Sequence, residues 1–334
     1  MKALALLVRW LRRSALIGGA TLMLLAVIAA AWQTSSTWRL EQAHPPPGRL
    51  VDVGGHRLHL HVRGHGSPTV VIDAGLSGAS YDYEQVAAGI AGFTQVATYD
   101  RAGNGWSDPG PRPRTSQRAV AELRTLLANS GLRPPFILLG HSWGGLNARL
   151  YASQHPEEVA GLILVDALNT DLKPDSETAG DVPVNFTVLY HTAFLGTPRL
   201  IMPGIVREPR DDVATREFRL AMLTRTKTAR TIYEELTGQR DWLEVRGSLK
   251  HLGDLPVTVI TTLPDPALAD QKMGLGGLDW RRGQEALPGI SRRSRFVVAD
   301  TPEHNIQFYR PEQIVAAVRV MVEGLRQGTA PAGR

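Results

Sequence analysis

Phe136-Ile137-Leu138-Leu139-Gly140-His141-Ser142-Trp143-Gly144-Gly145 is the stretch whose reading decides the fold. Its four consecutive apolar residues predict a buried strand, because a strand covered on both faces shows an unbroken apolar run instead of alternation. The run ends in Gly-x-Ser-x-Gly, and residues 146–152 read as a helix. Strand, sharp turn and helix follow one another with the serine at the apex. Such a turn strains the serine backbone and leaves room only for very small side chains two residues before and two after, which Gly140 and Gly144 supply. The bend lifts Ser142 Oγ clear of the sheet and aims the N–H groups that follow it at whatever the oxygen attacks.

The chain around this stretch has 334 residues, of which 43% are apolar. That fits one large α/β domain with a small insertion better than two separate domains. The net charge of +5 is misleading, because Lys2, Arg9, Arg12 and Arg13 lie in the first thirteen residues and the remainder is close to neutral. No basic stripe interleaved with aromatics appears, so nucleic acid is not an expected partner. The absence of cysteine excludes a cysteine nucleophile, a disulfide framework, a thiolate metal site and a lipobox anchor.

Residues 1–13 form a basic segment, and residues 15–32 contain no charge. This is long enough for a bilayer span and longer than the usual apolar region of a cleaved signal peptide. The expectation is a transmembrane anchor over 14–33 with its basic end in the cytoplasm. Ala29-Ala30-Ala31 leaves signal-peptide cleavage as the alternative. Either way the rest of the chain lies outside the cytoplasm, at the membrane, in the periplasm or at the cell surface, or secreted after cleavage. Residues 34–48, ending in Pro45-Pro46-Pro47-Gly48, read as a stiff extended spacer.

Alternation at residues 57–62 predicts a half-exposed antiparallel strand. His59 and His61 share one of its faces, with His56 and His65 nearby. Without a carboxylate or thiolate partner, a solvated strand face is the expected setting and a metal site is not. Residues 69–72 form the next strand, followed by Asp73-Ala74-Gly75-Leu76-Ser77-Gly78. Residues 95–99 form another, leading into Asp100-Arg101-Ala102-Gly103-Asn104-Gly105-Trp106-Ser107-Asp108. Thr115 can cap a helix over 116–129 whose Val120, Leu123, Leu126 and Leu127 form a core stripe. The alternation of strand and helix specifies a mostly parallel sheet with helices on both faces. After the strand at 162–165, ending at Asp166, no strand-like run appears until 256. The intervening helix-like stretches predict a helical cap over 168–253, placed over the strand ends where ligands sit in such sheets. Phe186, Tyr190, Phe194 and Met202 are candidates to line an acyl pocket there, or to form the cap's own core. The core resumes over 254–327, with strands at 256–261 and 296–299 and a closing helix from Pro311, and a tail follows at 328–334.

The bend at Ser142, the Asp100-Arg101-x-Gly-x-Gly-x-Ser107 turn and the glycine loop at 73–78 together resemble the α/β-hydrolase superfamily, from about residue 50 to residue 325. The likeness is to its bacterial, membrane-tethered branch with a serine nucleophile. The resemblance implies that the backbone N–H groups of Leu76 and Trp143 form an oxyanion hole. It also implies that Asp100 and Asp108 buttress the bend without taking part in chemistry. A serine needs an imidazole oriented by a carboxylate, which in this fold follow in the order Ser, acid, His. His304, in Glu303-His304-Asn305-Ile306-Gln307 before Arg310-Pro311-Glu312, stands where the family places its base, although Glu303 replaces the usual glycine. His141 points into the bend and is not the base. Two acids compete. Asp265 lies after the penultimate strand, where most of the superfamily places it. Asp166 lies at the tip of the strand after the bend helix, a position used in some lipases and dehalogenases. The tethered branch that the chain resembles usually has no acid in the later loop, and it pairs a Trp and a Gln at the spacing of Trp280 and Gln284. Asp166 is the preferred assignment, with Asp265 the alternative.

These readings imply a carboxylic ester hydrolase, lipase-like and membrane-anchored, acting on a small-molecule ester or acyl substrate through a Ser142–His304–Asp166 triad without cofactor or metal. A proline-iminopeptidase-like peptidase is the alternative within the fold, since a Trp after the nucleophile occurs there too. A catalytically silent binding module is the alternative outside enzymology.

Overall fold

The computed structural model of the chain describes residues 2–170, 184–205, 213–238, 242–262 and 280–328. Eight strands among these residues form one sheet. They are β1 (Arg49–Asp52), β2 (Arg57–Arg63), β3 (Thr69–Asp73), β4 (Val96–Tyr99), β5 (Phe136–His141), β6 (Val159–Val165), β7 (Val257–Thr261) and β8 (Ser294–Val298). Their order across the sheet is β1-β2-β4-β3-β5-β6-β7-β8. The β1–β2 and β2–β4 pairs are antiparallel, and every pair from β4 onward is parallel.

The apolar run of β5 explains its central place. Phe136 and Leu138 pack into one core and Ile137 and Leu139 into the other, on opposite faces of the sheet. Leu162 and Leu164 of β6 divide from Ile163 and Val165 in the same way. Each such side chain contributes about 1.5–3 kcal/mol by leaving water. The first face is covered by α3 (Ser116–Asn129) and α4 (Trp143–Gln154), the second by α2 (Glu84–Ala91) and the closing helix Pro311–Arg326. Thr115 caps α3 as its position predicts, its hydroxyl accepting from the Arg118 N–H at 3.2 Å.

Between β6 and β7 the described residues form helices and no strand: α5 (Val184–Thr192), α6 (Thr197–Ile205), α7 (Val213–Leu223), α8 (Thr226–Gly238) and α9 (Trp242–Ser248). This is the cap. Met202 packs with Leu189 and Ile232 in a small core of its own, with Phe186 against it. Phe194 is exposed. Of the four candidates for an acyl pocket, Phe186 and Met202 are thus cap core, because the cap's helices need an interior of their own. Beyond the cap come α10 (Trp280–Ala286), α11 (Ile306–Tyr309) and α12, the closing helix.

The N-terminal helix α1 runs from Lys2 to Ala43 and is long and apolar enough to cross a bilayer. It does not end at residue 33. Residues 34–43, expected as extended spacer, continue the helix because its far end has something to pack on. Gln33 is buried, donating to the Thr224 carbonyl at 3.0 Å, and Glu41 pairs with Arg225 at 3.4 Å. Only residues 44–48 are left as connector, and there the Trp106 indole N–H bonds the His44 carbonyl at 2.8 Å.

The expectation for His59 also changes. It is fully buried, its Nδ1 2.9 Å from the Asp100 carboxylate, because this face of the antiparallel strand β2 lies under Trp106 instead of facing solvent. His56 lies 3.3 Å from Glu122, so β2 and its approach spend two histidines on structural carboxylates.

Candidate active site

The turn from β5 into α4 places Ser142 at φ 51°, ψ −119°, a conformation that non-glycine residues avoid. Close backbone approach makes the flanking glycines obligatory. A Cβ on Gly140 would lie 2.4 Å from the Gly144 carbonyl oxygen, and one on Gly144 would lie 2.2 Å from that of Asp73. Trp143 is buried, and its indole N–H donates to Ser116 Oγ at 2.9 Å.

Asp166 stands directly after β6, with φ 39° and 1% of its surface exposed. Its Oδ2 lies 2.6 Å from His304 Nδ1. Oδ1 accepts from Thr261 Oγ1 at 2.7 Å, the Thr262 N–H at 3.1 Å and Trp280 Nε1 at 3.3 Å. Burial alone would raise this carboxyl's pKa. The hydrogen bond and charge of His304, with the bonds from Thr261 and Thr262, outweigh it and hold the group below the ordinary carboxylate range. Gln284 donates to the Ala167 carbonyl at 2.7 Å, fixing the backbone just past the acid. Trp280 also stands edge-on to the His304 ring, at 5.4 Å between centroids. Asp265 lies outside the described residues.

His304 sits between β8 and α11, with its ring 4.6 Å from that of His141. His141 Nε2 is 3.0 Å from the His304 carbonyl oxygen, so this nitrogen carries the donating proton. Burial and the neighbouring His304 drive the His141 pKa down to about 3, so its ring is neutral at physiological pH and fixes the backbone of His304.

The loop after β3 closes over the bend. A methyl on Gly75 would lie 2.8 Å from His141 Nδ1 and 3.3 Å from Ser142 Cβ, so the backbone just before Leu76 passes close to the serine. Arg101 holds this loop from below. Its guanidinium donates to the Ala74 and Gly75 carbonyls, each at 2.6 Å, and to Asp73 Oδ1 at 2.6 Å, while lying 4.6 Å from the Trp143 ring centre. Glu235 of cap helix α8 completes the cluster. It accepts from Arg101 Nε at 3.0 Å, Asn104 Nδ2 at 2.9 Å and the Ser77 N–H at 3.1 Å. Although burial opposes charge, Glu235 and Asp73 keep the Arg101 pKa raised. Asp100 accepts from the Ser80 and Trp106 N–H groups and so holds the turn at 100–108, while Asp108 pairs with Arg57 at 2.8 Å.

Sequence reasoning missed Glu235, one of two adjacent glutamates on a helix with no motif around it. The two carboxylates of the arginine's own turn are committed elsewhere, Asp100 to His59 and Asp108 to Arg57, so Arg101 draws its partners from Asp73 and from the cap. Sequence reasoning also missed Thr261 and Thr262, whose hydroxyl and N–H make the Asp166 socket. Among the described residues, His155, Glu157 and Glu158 bring donor atoms within 4.8 Å of one another. Glu158 there is already neutralised by Arg124 at 2.7 Å.

Residues 68–191 match the family model described as alpha/beta hydrolase fold, and the sheet and cap described above have that fold. It is 30% identical over 121 residues to the uncharacterized protein YbdG of Bacillus subtilis, a match covering 36% of this chain and 37% of that one. It is 34% identical over 125 residues to the proline iminopeptidase of Lactobacillus acidophilus, covering 35% of this chain and 42% of that one. The matched stretch thus spans well under half the length of either relative. A thermophilic esterase from Thermogutta terrifontis superposes with a TM-score of 0.59 at 19% identity, covering 84% of this chain and 98% of that one, a likeness of fold.

Two outcomes follow from this geometry. Glu235→Ala leaves the buried Arg101 guanidinium with Asp73 as its remaining carboxylate and strips the Nε, Asn104 and Ser77 donors of their acceptor, so it should cost about 1–3 kcal/mol in urea unfolding, with Glu235→Gln costing less because it keeps an acceptor. An unchanged midpoint in Glu235→Ala would contradict the tie between cap and loop. The His141 pKa is depressed in the folded state, so the neutral ring's contribution is complete above the ordinary value of 6.5 and is lost as pH falls towards 3. The drop in unfolding free energy between neutral and acid pH should therefore be smaller in His141→Asn than in the wild type.

Proposed function

We propose that this chain is a membrane-anchored serine hydrolase of carboxylic esters. Its α1 crosses the bilayer with the N-terminus in the cytoplasm, and the catalytic domain lies outside. The observation that carries the reading is the 2.6 Å contact between a buried, ionised Asp166 and Nδ1 of His304, with the strained Ser142 bonded through its N–H to the carbonyl of Val165, the residue before that acid. With Nδ1–H given to Asp166, Nε2 of His304 is the free base. It takes the Ser142 proton as Oγ attacks the acyl carbonyl, and the N–H groups of Leu76 and Trp143 receive the oxyanion. The tetrahedral intermediate collapses, the C–O bond to the alcohol breaks, and His304 delivers its proton to the departing alkoxide. Water then gives a proton to His304 and adds to the acyl-enzyme. The second collapse frees the carboxylic acid and returns the proton to Ser142. Asp166 remains a carboxylate throughout and stabilises the imidazolium at each half-reaction.

The second reading is a peptidase, favoured by the match to a proline iminopeptidase. Peptides with N-terminal proline set against short p-nitrophenyl esters separate the two.

A fluorophosphonate probe should label the purified protein and fail to label Ser142→Ala. Absence of labelling in the wild type would remove the mechanism and leave a silent binding module. Asp166→Asn should lower kcat by on the order of 10³–10⁴-fold, through loss of the correct imidazole tautomer. Asp265→Asn should stay near wild type. The reverse pattern would transfer the role of the acid to Asp265.

A further inference from the structure

The long N-terminal helix does more than end beside the catalytic domain. Its charge-free stretch closes at Trp32, and at that level the helix is already docked on the cap. The Trp32 ring lies against Gly196, and the Arg199 guanidinium stands 5.6 Å from the ring centre. Arg199 Nε donates to Gln33 Oε1 at 2.6 Å. The cap turn Ala193–Leu195 and helix α6 therefore sit where α1 leaves the hydrocarbon, because a 42-residue helix exceeds the roughly 20 residues that a bilayer core needs.

That part of the cap is the apolar part of the protein surface. Among the described residues outside α1, six large apolar side chains are exposed, and four of them lie between residues 184 and 200: Val184, Val188, Phe194 and Leu200. Val184 and Leu200 are 78% and 79% exposed, which is costly in water for side chains of this size. The short elements that carry the four follow one another and touch. Val184 and Val188 lie one turn apart on a stripe of α5 that ends at Thr192, whose hydroxyl is 2.9 Å from that of Thr197 at the start of α6. No acidic residue occurs between 184 and 205, and Arg199 is the one permanent charge. Trp32, exposed on its outer side, borders the patch on α1, and Trp38 is exposed six residues further along the same helix, in the aromatic belt that membrane–water interfaces favour.

We propose that this face of the cap, built from α5, the turn Ala193–Leu195 and α6, rests in the interfacial layer of the bilayer on the side where α1 emerges. Substrate would then reach the cap from the lipid phase, which favours acyl compounds dissolved in the membrane over freely soluble ones. The proposal rests on the reading of α1 as a membrane span. Its occupant is the lipid surface, because the apolar patch is continuous with the helix that would cross that same surface.

The natural absence of cysteine makes the test direct, since single cysteines can be introduced without background. Full-length Leu22→Cys, Phe194→Cys, Leu200→Cys and Glu157→Cys proteins, each carrying a small fluorophore, are reconstituted in phosphatidylglycerol vesicles with plain or chain-brominated phosphatidylcholine. Labels at Phe194 and Leu200 should be quenched by the brominated lipid and protected from aqueous iodide, as at Leu22. The label at Glu157, an exposed residue at the opposite edge of the sheet from the cap, should respond only to iodide. Quenching at Leu22 without quenching at Phe194 and Leu200 overturns the proposal and leaves the anchor standing. No bromine quenching at Leu22 overturns both. Protection from iodide without bromine quenching at Phe194 and Leu200, the signature of a second copy or another protein on the patch, also overturns it.

Discussion

The Asp166 carboxylate is placed where almost no water reaches it, and burial of that kind penalises an ionised acid by several kcal/mol unless hydrogen bonds and an opposite charge replace the lost solvent. Four elements of the fold converge to supply them. The end of β6 carries the acid, the end of β7 brings Thr261 and Thr262, α10 brings the Trp280 indole, and the loop after β8 brings His304. Parallel strands make this possible, because β6, β7 and β8 all finish at the same edge of the sheet. Ser142 finishes β5 at that edge too. The chemistry proposed for the chain thus depends on a register that lets three neighbouring strands stop level with one another.

A second buried charge joins the cap to this edge. Arg101 grips the loop after β3 by two of its carbonyls, and Glu235 reaches down from α8 to neutralise it. The loop proposed to stabilise the oxyanion is therefore held from the core side and the cap side at once. A cap that lifted as a rigid body would have to strand Arg101 or carry the loop with it. The same cap is held at its far side by α1 through Gln33, Arg199 and Arg225. The N-terminal helix α1, cap and loop thus form a continuous chain of contacts ending beside Ser142.

Most of the sheet could be read from residues 50–165 and 256–299 because fully buried strands are short apolar runs, and β3, β5, β6 and β7 each show one. The serine bend was legible because glycine two residues to either side has a steric cause that is local to the motif. Long-range electrostatics were not legible. Nothing near Asp166 says that Thr262 and Trp280, about a hundred residues away, close around it, which is why two acids stayed in competition. Glu235 looks like any solvated glutamate until α8 is laid on the 101–105 turn. His59 looked solvated because alternation alone does not report that Trp106 folds over that strand. Residues 34–43 read as spacer because their polarity suits solvent, and they are helical because Gln33 and Glu41 find partners on the cap.

The most direct measurement of the central claim is the proton on His304 Nδ1, observed by NMR in protein labelled with ¹⁵N-histidine. A short bond to an ionised, water-excluded carboxylate should move that proton far downfield and protect it from exchange. The resonance should vanish in Asp166→Asn and persist in Asp265→Asn. A downfield Nδ1 proton that survives Asp166→Asn unchanged would contradict the account.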